Sequence, residues 1–173
     1  MLESRSIGRP APSGDQEDLI AAVVATGAPT AVIVVSGRPL LLDRICRGAG
    51  AVIWAPLLGP AAGLALADVI VGNTAPAGRL PVSFPASIGQ IPVFHGSCVG
   101  SGYDTPGGED DYGYIDGSAR PLFPFGHGLG YAQFAYGDLE SAASEVQPGS
   151  WFNVTVEIRN TGDREADEVV QPR

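Results

Sequence analysis

Two polar residues that could contact a ligand follow the most strongly apolar stretch near the start of the chain. Residues 30–35 are continuously apolar or β-branched, and Ser36 and Gly37 come directly after them. Such a run predicts a parallel strand buried on both faces. Ligand clefts of open α/β sheets lie at the carboxyl ends of their strands, so both residues are candidate binding residues. Gly37 serves a backbone turn equally well, and the two interpretations stay open.

Metal and disulfide chemistry have little support in the residue pattern. His95 and His127 are isolated from each other and from any metal-binding motif, which favours ordinary hydrogen-bonding histidines. Residues 109–111 are consecutive acids without the alternation of a calcium loop. Cys46 and Cys98 are too few for a disulfide framework and are predicted to be reduced, packed thiols. We therefore expect no metal and no cofactor.

Charge and hydropathy exclude two classes of partner. Ten Lys and Arg against nineteen Asp and Glu give a formal net charge of −9, which argues against nucleic acid and fits a neutral ligand. The most apolar region, residues 51–71, is broken by Pro56, Pro60 and Asp68, so no membrane span is expected. The first residues have no signal-peptide pattern, and the compartment (periplasmic, secreted or cytoplasmic) stays open.

Helices and strands alternate in the first part of the chain. Ser13 and Gln16 form a capping pattern before an amphipathic helix that Gly27 ends. The strand at residues 30–36, a short helix at 40–47, a strand at 51–54 and a helix that begins near Pro60 and ends at Gly72 follow. This alternation predicts a layered α/β sandwich domain with a partly parallel sheet.

The second half of the chain changes character twice. Residues 73–130 are rich in Gly and Pro and predict little regular structure, with a long loop at 96–117. Residues 151–159 then alternate between apolar and polar side chains, the pattern of an antiparallel sandwich strand, and residues 168–171 resemble the start of another. We therefore expect an incomplete β-sandwich at the end of the chain, truncated at its C-terminus.

Several motifs together resemble glycoside hydrolase family 3. Residues 66–85 read L-A-D-V-I-V-G-N-T-A-P-A-G-R-L-P-V-S-F-P, residues 87–93 read S-I-G-Q-I-P-V, and residues 121–131 read P-L-F-P-F-G-H-G-L-G-Y. Residues 154–163 and 167–171 are similar to the fibronectin type III-like module that follows in many members. The motifs span most of the chain and occur in the family's order.

The resemblance implies an arrangement of domains and an activity. Residues 1–133 correspond to the family's C-terminal α/β sandwich domain, truncated at its N-terminus, and residues 134–173 to the start of the fibronectin type III-like domain. The parent is expected to be a retaining β-glycosidase that hydrolyses terminal β-glucosides or β-xylosides. Its nucleophile, an Asp, belongs to a TIM-like barrel that precedes this region and is a partner of it. The isolated chain is therefore expected to be inactive.

The resemblance also assigns roles to single residues. Glu3 stands about as far before Gln16 as the family's acid/base Glu stands before its Gln, so Glu3 is the acid/base candidate. Ser36 and Gly37 match a family S-G-x-P turn and are candidates for substrate binding. Tyr103 is a further candidate because an aromatic ring can stack on a sugar face, although it can equally anchor its loop.

Two departures from the family pattern support an alternative function. Where the family has a Trp and a Glu, this chain has Pro56 and Ala61. The loop after Phe94 also lacks the family's Gly-Arg-Pro. The alternative is a non-catalytic remnant or an accessory module associated with carbohydrate.

Overall fold

A computed structural model of the chain describes residues 8–96 and 118–171. They group into two compact units, the first formed from residues 8–61, 80–96 and 118–127 and the second from residues 62–79 and 128–171. The helices are α1 (Gln16–Ala25), α2 (Asp43–Cys46) and α3 (Ala62–Ile70), with a 3₁₀ helix at Ile88–Gln90. The strands are β1 (Ala31–Val34), β2 (Ala51–Trp54), β3 (Phe134–Tyr136), β4 (Glu140–Ser141), β5 (Val154–Thr155) and β6 (Ile158–Asn160).

The first unit contains the parallel sheet that the sequence predicts. Strands β1 and β2 pair in parallel, with Ala31 opposite Ala51 and Val34 opposite Trp54. The predicted order of helix, strand, helix and strand is confirmed. A parallel pair places the ends of both strands at one edge, so the residues after Val34 and Trp54 are neighbours in space.

The predicted end of α1 agrees with the structure, but its predicted N-cap does not. Gly27 lies just past the helix with a φ of +79°, the left-handed conformation that glycine adopts without strain, so the predicted end is confirmed. The predicted capping by Ser13 is wrong. Asp15 occupies the N-cap position, and no side chain caps the helix by a hydrogen bond.

The burial of β1 also differs from the prediction. Val34 is 8% exposed and lies in the core, whereas Ile33 is 38% and Val35 is 74% exposed. Residues alternate between the two faces of a strand, so β1 is buried on one face and open on the other. The prediction of a strand buried on both faces is wrong for this chain.

The core of the first unit is small and centres on Phe84. The buried hydrophobic residues packed together are Val34, Leu40, Leu42, Ile45 and Phe84. Phe84 is 1% exposed, and its backbone forms an antiparallel bridge with Phe123. The amide of Phe84 donates to the Phe123 carbonyl at 2.8 Å, and the return bond measures 3.3 Å. This bridge fixes a segment without regular structure against the sheet.

The second unit contains α3 and two antiparallel strand pairs. Strand β3 pairs with β6, and β4 pairs with β5. Helix α3 ends before Gly72, whose φ is +81°, so its predicted end is confirmed. The alternating stretch at residues 151–159 forms two short strands instead of one, and residues 168–171 form no strand, contrary to the prediction.

Glu168, which was predicted to begin a strand, forms an ion pair with Arg79 instead. The Arg79 guanidinium contacts one oxygen of the Glu168 carboxylate at 2.6 Å, and the Tyr136 hydroxyl donates to the other at 2.7 Å. Arg79 also donates to the Gly128 carbonyl. The side chains of Arg79 and Glu168 are mostly buried, so these bonds satisfy charges that would otherwise be costly to remove from water.

Among the described residues, no helix is both long and apolar enough to cross a membrane. The mixed α/β fold with a parallel sheet is confirmed, while the fibronectin type III-like assignment and the boundary after residue 133 stay predictions. The antiparallel pairs remain separate two-stranded sheets.

The burial of Phe84 predicts a large effect of its removal. We expect Phe84→Ala to lower the free energy of unfolding by about 3–5 kcal/mol, because a fully buried ring is lost and a cavity remains. Phe152 is 51% exposed, so Phe152→Ala is the matched control and should change stability by less than about 0.5 kcal/mol. Urea unfolding of both variants measures the difference, and equal losses would contradict this description of the core.

Candidate functional site

The candidate site lies at the carboxyl edge of the parallel sheet. Ser36 follows β1 and is half-buried, and Gly37 is exposed. The amide of Ala55 donates to the Val34 carbonyl at 2.9 Å, so pairing with β2 continues to the last residue of β1. Ser36 and Gly37 therefore begin where the sheet stops, as the sequence predicts.

The Ser36 side chain closes a tight turn around Gly37. Its hydroxyl donates to the Arg38 carbonyl at 2.8 Å and accepts from the Arg38 amide at 3.2 Å. A serine hydroxyl has one proton and two lone pairs, so one acceptor position remains beyond these two bonds. A hydroxyl group of a ligand could donate to that position.

Trp54, at the end of β2, fixes the same turn from the neighbouring strand. Its indole Nε1–H donates to the Ser36 carbonyl at 2.8 Å. Its ring meets the Phe84 ring edge to face, with centroids 5.2 Å apart and planes at 78°. Sequence analysis missed Trp54, because the signal was only an aromatic residue at the end of a predicted strand.

Residues 80–84 and 123–127, which lie outside the helices, pair with each other through their backbones at the edge of the core. The Leu80 amide donates to the His127 carbonyl, and the Gly126 amide donates to the Leu80 carbonyl, each at 2.8 Å. The hydroxyl of Ser83, a buried residue, accepts from the Phe125 amide at 3.1 Å. These residues belong to the motifs at 66–85 and 121–131, so the two motifs are paired through their backbones.

Gln90 binds the backbone of Ser118 and Arg120. It is 5% exposed, and its side-chain oxygen accepts from the Ala86 amide at 2.7 Å. Its side-chain nitrogen donates to the carbonyls of Ser118 and Arg120 at 2.8 and 3.0 Å. All of the strong hydrogen-bonding groups of this amide point to the backbone, so Gln90 has a structural role.

Two of the predicted site residues cannot be placed. Glu3 and Tyr103 lie outside the described residues, so their roles stay predictions. Pro56 is half-buried and Ala61 exposed, and neither side chain offers a hydrogen-bond donor or a titratable group. The Ser36 hydroxyl keeps an acceptor position for a ligand hydroxyl, but neither Ser36 nor Trp54 is an acid or base near neutral pH.

The two histidines stack on phenylalanine rings. His95 lies over Phe125 with centroids 4.7 Å apart, and His127 lies over Phe123 at 4.8 Å. In the part of the chain that the structure describes, no group of three or more His, Cys, Asp or Glu side chains is placed to hold a metal ion. The histidines thus act as packing residues here.

Cys46 is a free, half-buried thiol at the end of α2. Burial raises its pKa above the usual value, and the nearby carboxylate of Asp43 raises it further. The neutral thiol is the favoured form in the folded chain. It contributes stability that is present below the ordinary cysteine pKa and lost as the pH rises through the raised value.

The raised pKa predicts slow alkylation of Cys46. In a Cys98→Ser variant, iodoacetamide at about pH 8.5 should modify Cys46 more slowly in the folded chain than in urea, because the thiolate is the nucleophile. The difference should shrink as the pH rises further. Equal rates in the folded and unfolded chain would contradict the described burial.

A family model matches most of the chain. Residues 5–131 match the Glycosyl hydrolase family 3 C-terminal domain. The chain is similar to a periplasmic β-glucosidase of Salmonella typhimurium, with 39% identity over 90% of this chain and 21% of the relative. It is also similar to a β-xylosidase of Formosa agariphila, with 37% identity over 91% of this chain and 21% of that protein.

Solved structures show a similar backbone. The β-glucosidase from Listeria innocua in complex with isofagomine has a TM-score of 0.82 and 30% identity, over 91% of this chain and 22% of that structure. The β-glucosidase from Erythrobacter marinus has a TM-score of 0.80 and 32% identity, over 93% and 20%. The chain therefore spans about a fifth of the length of the proteins it resembles.

Proposed function

The chain belongs to glycosyl hydrolase family 3, as its C-terminal domain, and from this premise we propose that it serves a retaining β-glycosidase. The proposed substrates are terminal β-glucosides or β-xylosides, the two classes that the names of the relatives contain. Residues 1–133 would complete the pocket over a TIM-like barrel elsewhere in the protein. Residues 134–173 would begin a fibronectin type III-like domain.

The observation that carries the proposal is the turn at Ser36 and Gly37. It lies at the carboxyl edge of a parallel sheet, where α/β folds bind ligands, and Gly37 is exposed. The Ser36 hydroxyl keeps one acceptor position for a sugar hydroxyl. The turn is also held by bonds to Arg38 and Trp54, so a sugar would meet groups that are already ordered.

The proposed mechanism divides the catalytic groups between this chain and the barrel. A retaining glycosidase needs two carboxyl groups about 5–5.5 Å apart, one as nucleophile and one as acid and then base. We assign the acid/base to Glu3 and the nucleophile to an Asp of the barrel. Ser36, Gly37 and Tyr103 would bind the sugar without taking part in proton transfer.

A second candidate function is a non-catalytic accessory module. Residues 55–63 contain only Ala, Pro, Leu and Gly, so this segment has no side chain that could hydrogen bond a sugar or transfer a proton. The segment follows β2 at the proposed binding edge. A module that binds sugar through the Ser36 turn alone would show affinity without hydrolysis.

The decisive experiment compares hydrolysis by two forms of the protein. Release of nitrophenol from aryl β-glucoside and β-xyloside would be measured for this chain and for the longer protein that we propose contains it. Activity in the longer form only supports the divided active site. Sugar binding without hydrolysis in the longer form supports the accessory module, and hydrolysis by this chain alone would contradict the proposed division.

A substitution at Glu3 tests the acid/base assignment. In the longer protein, Glu3→Gln should lower kcat/KM by about 10²–10⁴-fold, because general acid catalysis supplies a factor of that size. The fall in activity at alkaline pH, caused by deprotonation of the acid, should disappear as well. Glu145 is exposed, so Glu145→Gln is the control. An unchanged pH profile for Glu3→Gln would contradict the assignment.

A further inference from the structure

We propose that residues 160–168, here called the docking segment, dock on the C-terminal end of α3, so that α3 and residues 134–171 open as one cooperative unit. All of the contacts that support this lie within the second unit. The inference concerns the stability of that unit and does not depend on the proposed glycosidase activity.

The first step of the argument is what the end of α3 needs. The last carbonyls of a helix lack partners within the helix and carry a partial negative charge, which a nearby cation stabilises. Helix α3 has no basic residue in its last turn. The Tyr131 hydroxyl donates to the Val69 carbonyl at 2.8 Å, and the Arg164 guanidinium donates to the Gly72 carbonyl at 3.2 Å. Side chains from a later part of the chain therefore supply the missing cap.

The second step is the turn that presents Arg164. The side-chain nitrogen of Asn160 donates to the Arg164 carbonyl at 2.7 Å, and its side-chain oxygen accepts from the Gly162 amide at 2.9 Å. The Arg164 guanidinium also lies over the Tyr131 ring, 5.6 Å from its centroid, within the range of a cation–π contact. The cation is thus held at the helix end by its own turn and by the ring beside it.

The third step is a second contact that runs in the opposite direction. Arg79 follows α3 in the chain and bonds to Glu168, at the end of the docking segment, at 2.6 Å. The two side chains are 17% and 10% exposed, so separating them would leave charges that water solvates poorly. Arg164 reaches back to the end of α3, whereas Arg79 reaches forward from it. The docking segment is therefore held at both ends.

The fourth step is the close approach of the backbones between these two contacts. A Cβ atom on Gly128 would lie 2.6 Å from the Gly78 carbonyl oxygen, and one on Gly130 would lie 2.8 Å from that of Pro76. Such distances leave room for glycine alone. The Arg79 guanidinium also donates to the Gly128 carbonyl. The motifs at 66–85, 121–131 and 167–171 thus meet in one joint, which gives them a structural role.

Removal of the Arg164 cation should loosen the end of α3. The amides of residues 71–74 donate to α3 carbonyls at 2.8–3.2 Å. In Arg164→Ala, we expect these amides to exchange with deuterium about 2–10-fold faster, the effect of losing a helix-end cation and an exposed cation–π contact. Hydrogen exchange of this chain, followed by mass spectrometry or NMR, measures the change.

The same segment contains a matched control. Arg159 lies on β6 with 75% of its side chain exposed, and its ion pair with Glu157 measures 3.9 Å. Arg159→Ala removes the same charge without touching α3, so exchange at residues 71–74 should stay unchanged. Equal acceleration by both variants would overturn the proposed cap.

A substitution at the other end tests whether the docking segment acts as one piece. Glu168 bonds to Arg79 and Tyr136. In Glu168→Ala, exchange at residues 71–74 should still rise by about 2-fold or more, because the segment loses one of its two attachments. The Ala55 amide, which donates to Val34 in the first unit, is the reference and should keep its rate. Faster exchange confined to the neighbours of Glu168, or equal acceleration at Ala55, would contradict the coupling.

The unsubstituted chain provides a test that does not depend on folding of the variants. The Gly72 amide donates to the Val69 carbonyl at 3.1 Å, and the Thr161 amide donates to the Gln133 carbonyl at 2.8 Å. If both belong to one cooperative unit, their protection factors should agree within about 3-fold and fall with the same dependence on urea. A Thr161 amide that exchanges by an opening which leaves Gly72 protected would overturn the inference.

Discussion

The first unit depends on the burial of Phe84. This residue lies in a segment without regular structure, yet it is 1% exposed, bridges to Phe123 and supports the ring of Trp54. The motif around it reads P-V-S-F-P, in which the two prolines restrict the backbone and Ser83 is buried beside Phe84. One aromatic side chain thus joins the irregular segments to the sheet and, through Trp54, to the candidate site.

Local patterns predicted the elements of this fold better than their surroundings. Strands β1 and β2 followed from apolar runs, and the ends of α1 and α3 from glycines with positive φ. The exposure of Val35 was not predictable, since an apolar run specifies a strand but not what covers each face. The ion pair of Arg79 with Glu168 joins residues 89 positions apart, a distance that no local pattern encodes.

In the candidate site, too, local sequence patterns predicted some residues and missed those that depend on contacts between distant parts of the chain. Ser36 and Gly37 could be found from the sequence because they follow an apolar strand directly. Trp54 could not, because its importance comes from a hydrogen bond between neighbouring parallel strands and from a ring contact with Phe84. Glu3 was reached by resemblance and Tyr103 from the stacking that an aromatic ring allows, and the described residues include neither. The assignment of Ser36 therefore draws on contacts in the structure, whereas the assignments of Glu3 and Tyr103 draw on the sequence alone.

The proposed function requires the turn after β1 to contact the sugar in the longer glycosidase. The most direct measurement is a crystal structure of the longer protein with bound glucose. We expect a sugar hydroxyl within hydrogen-bond distance of Ser36 or Gly37, with the bond from the Trp54 indole to the Ser36 carbonyl intact. Glucose bound in a pocket that neither Ser36 nor Gly37 contacts would contradict it.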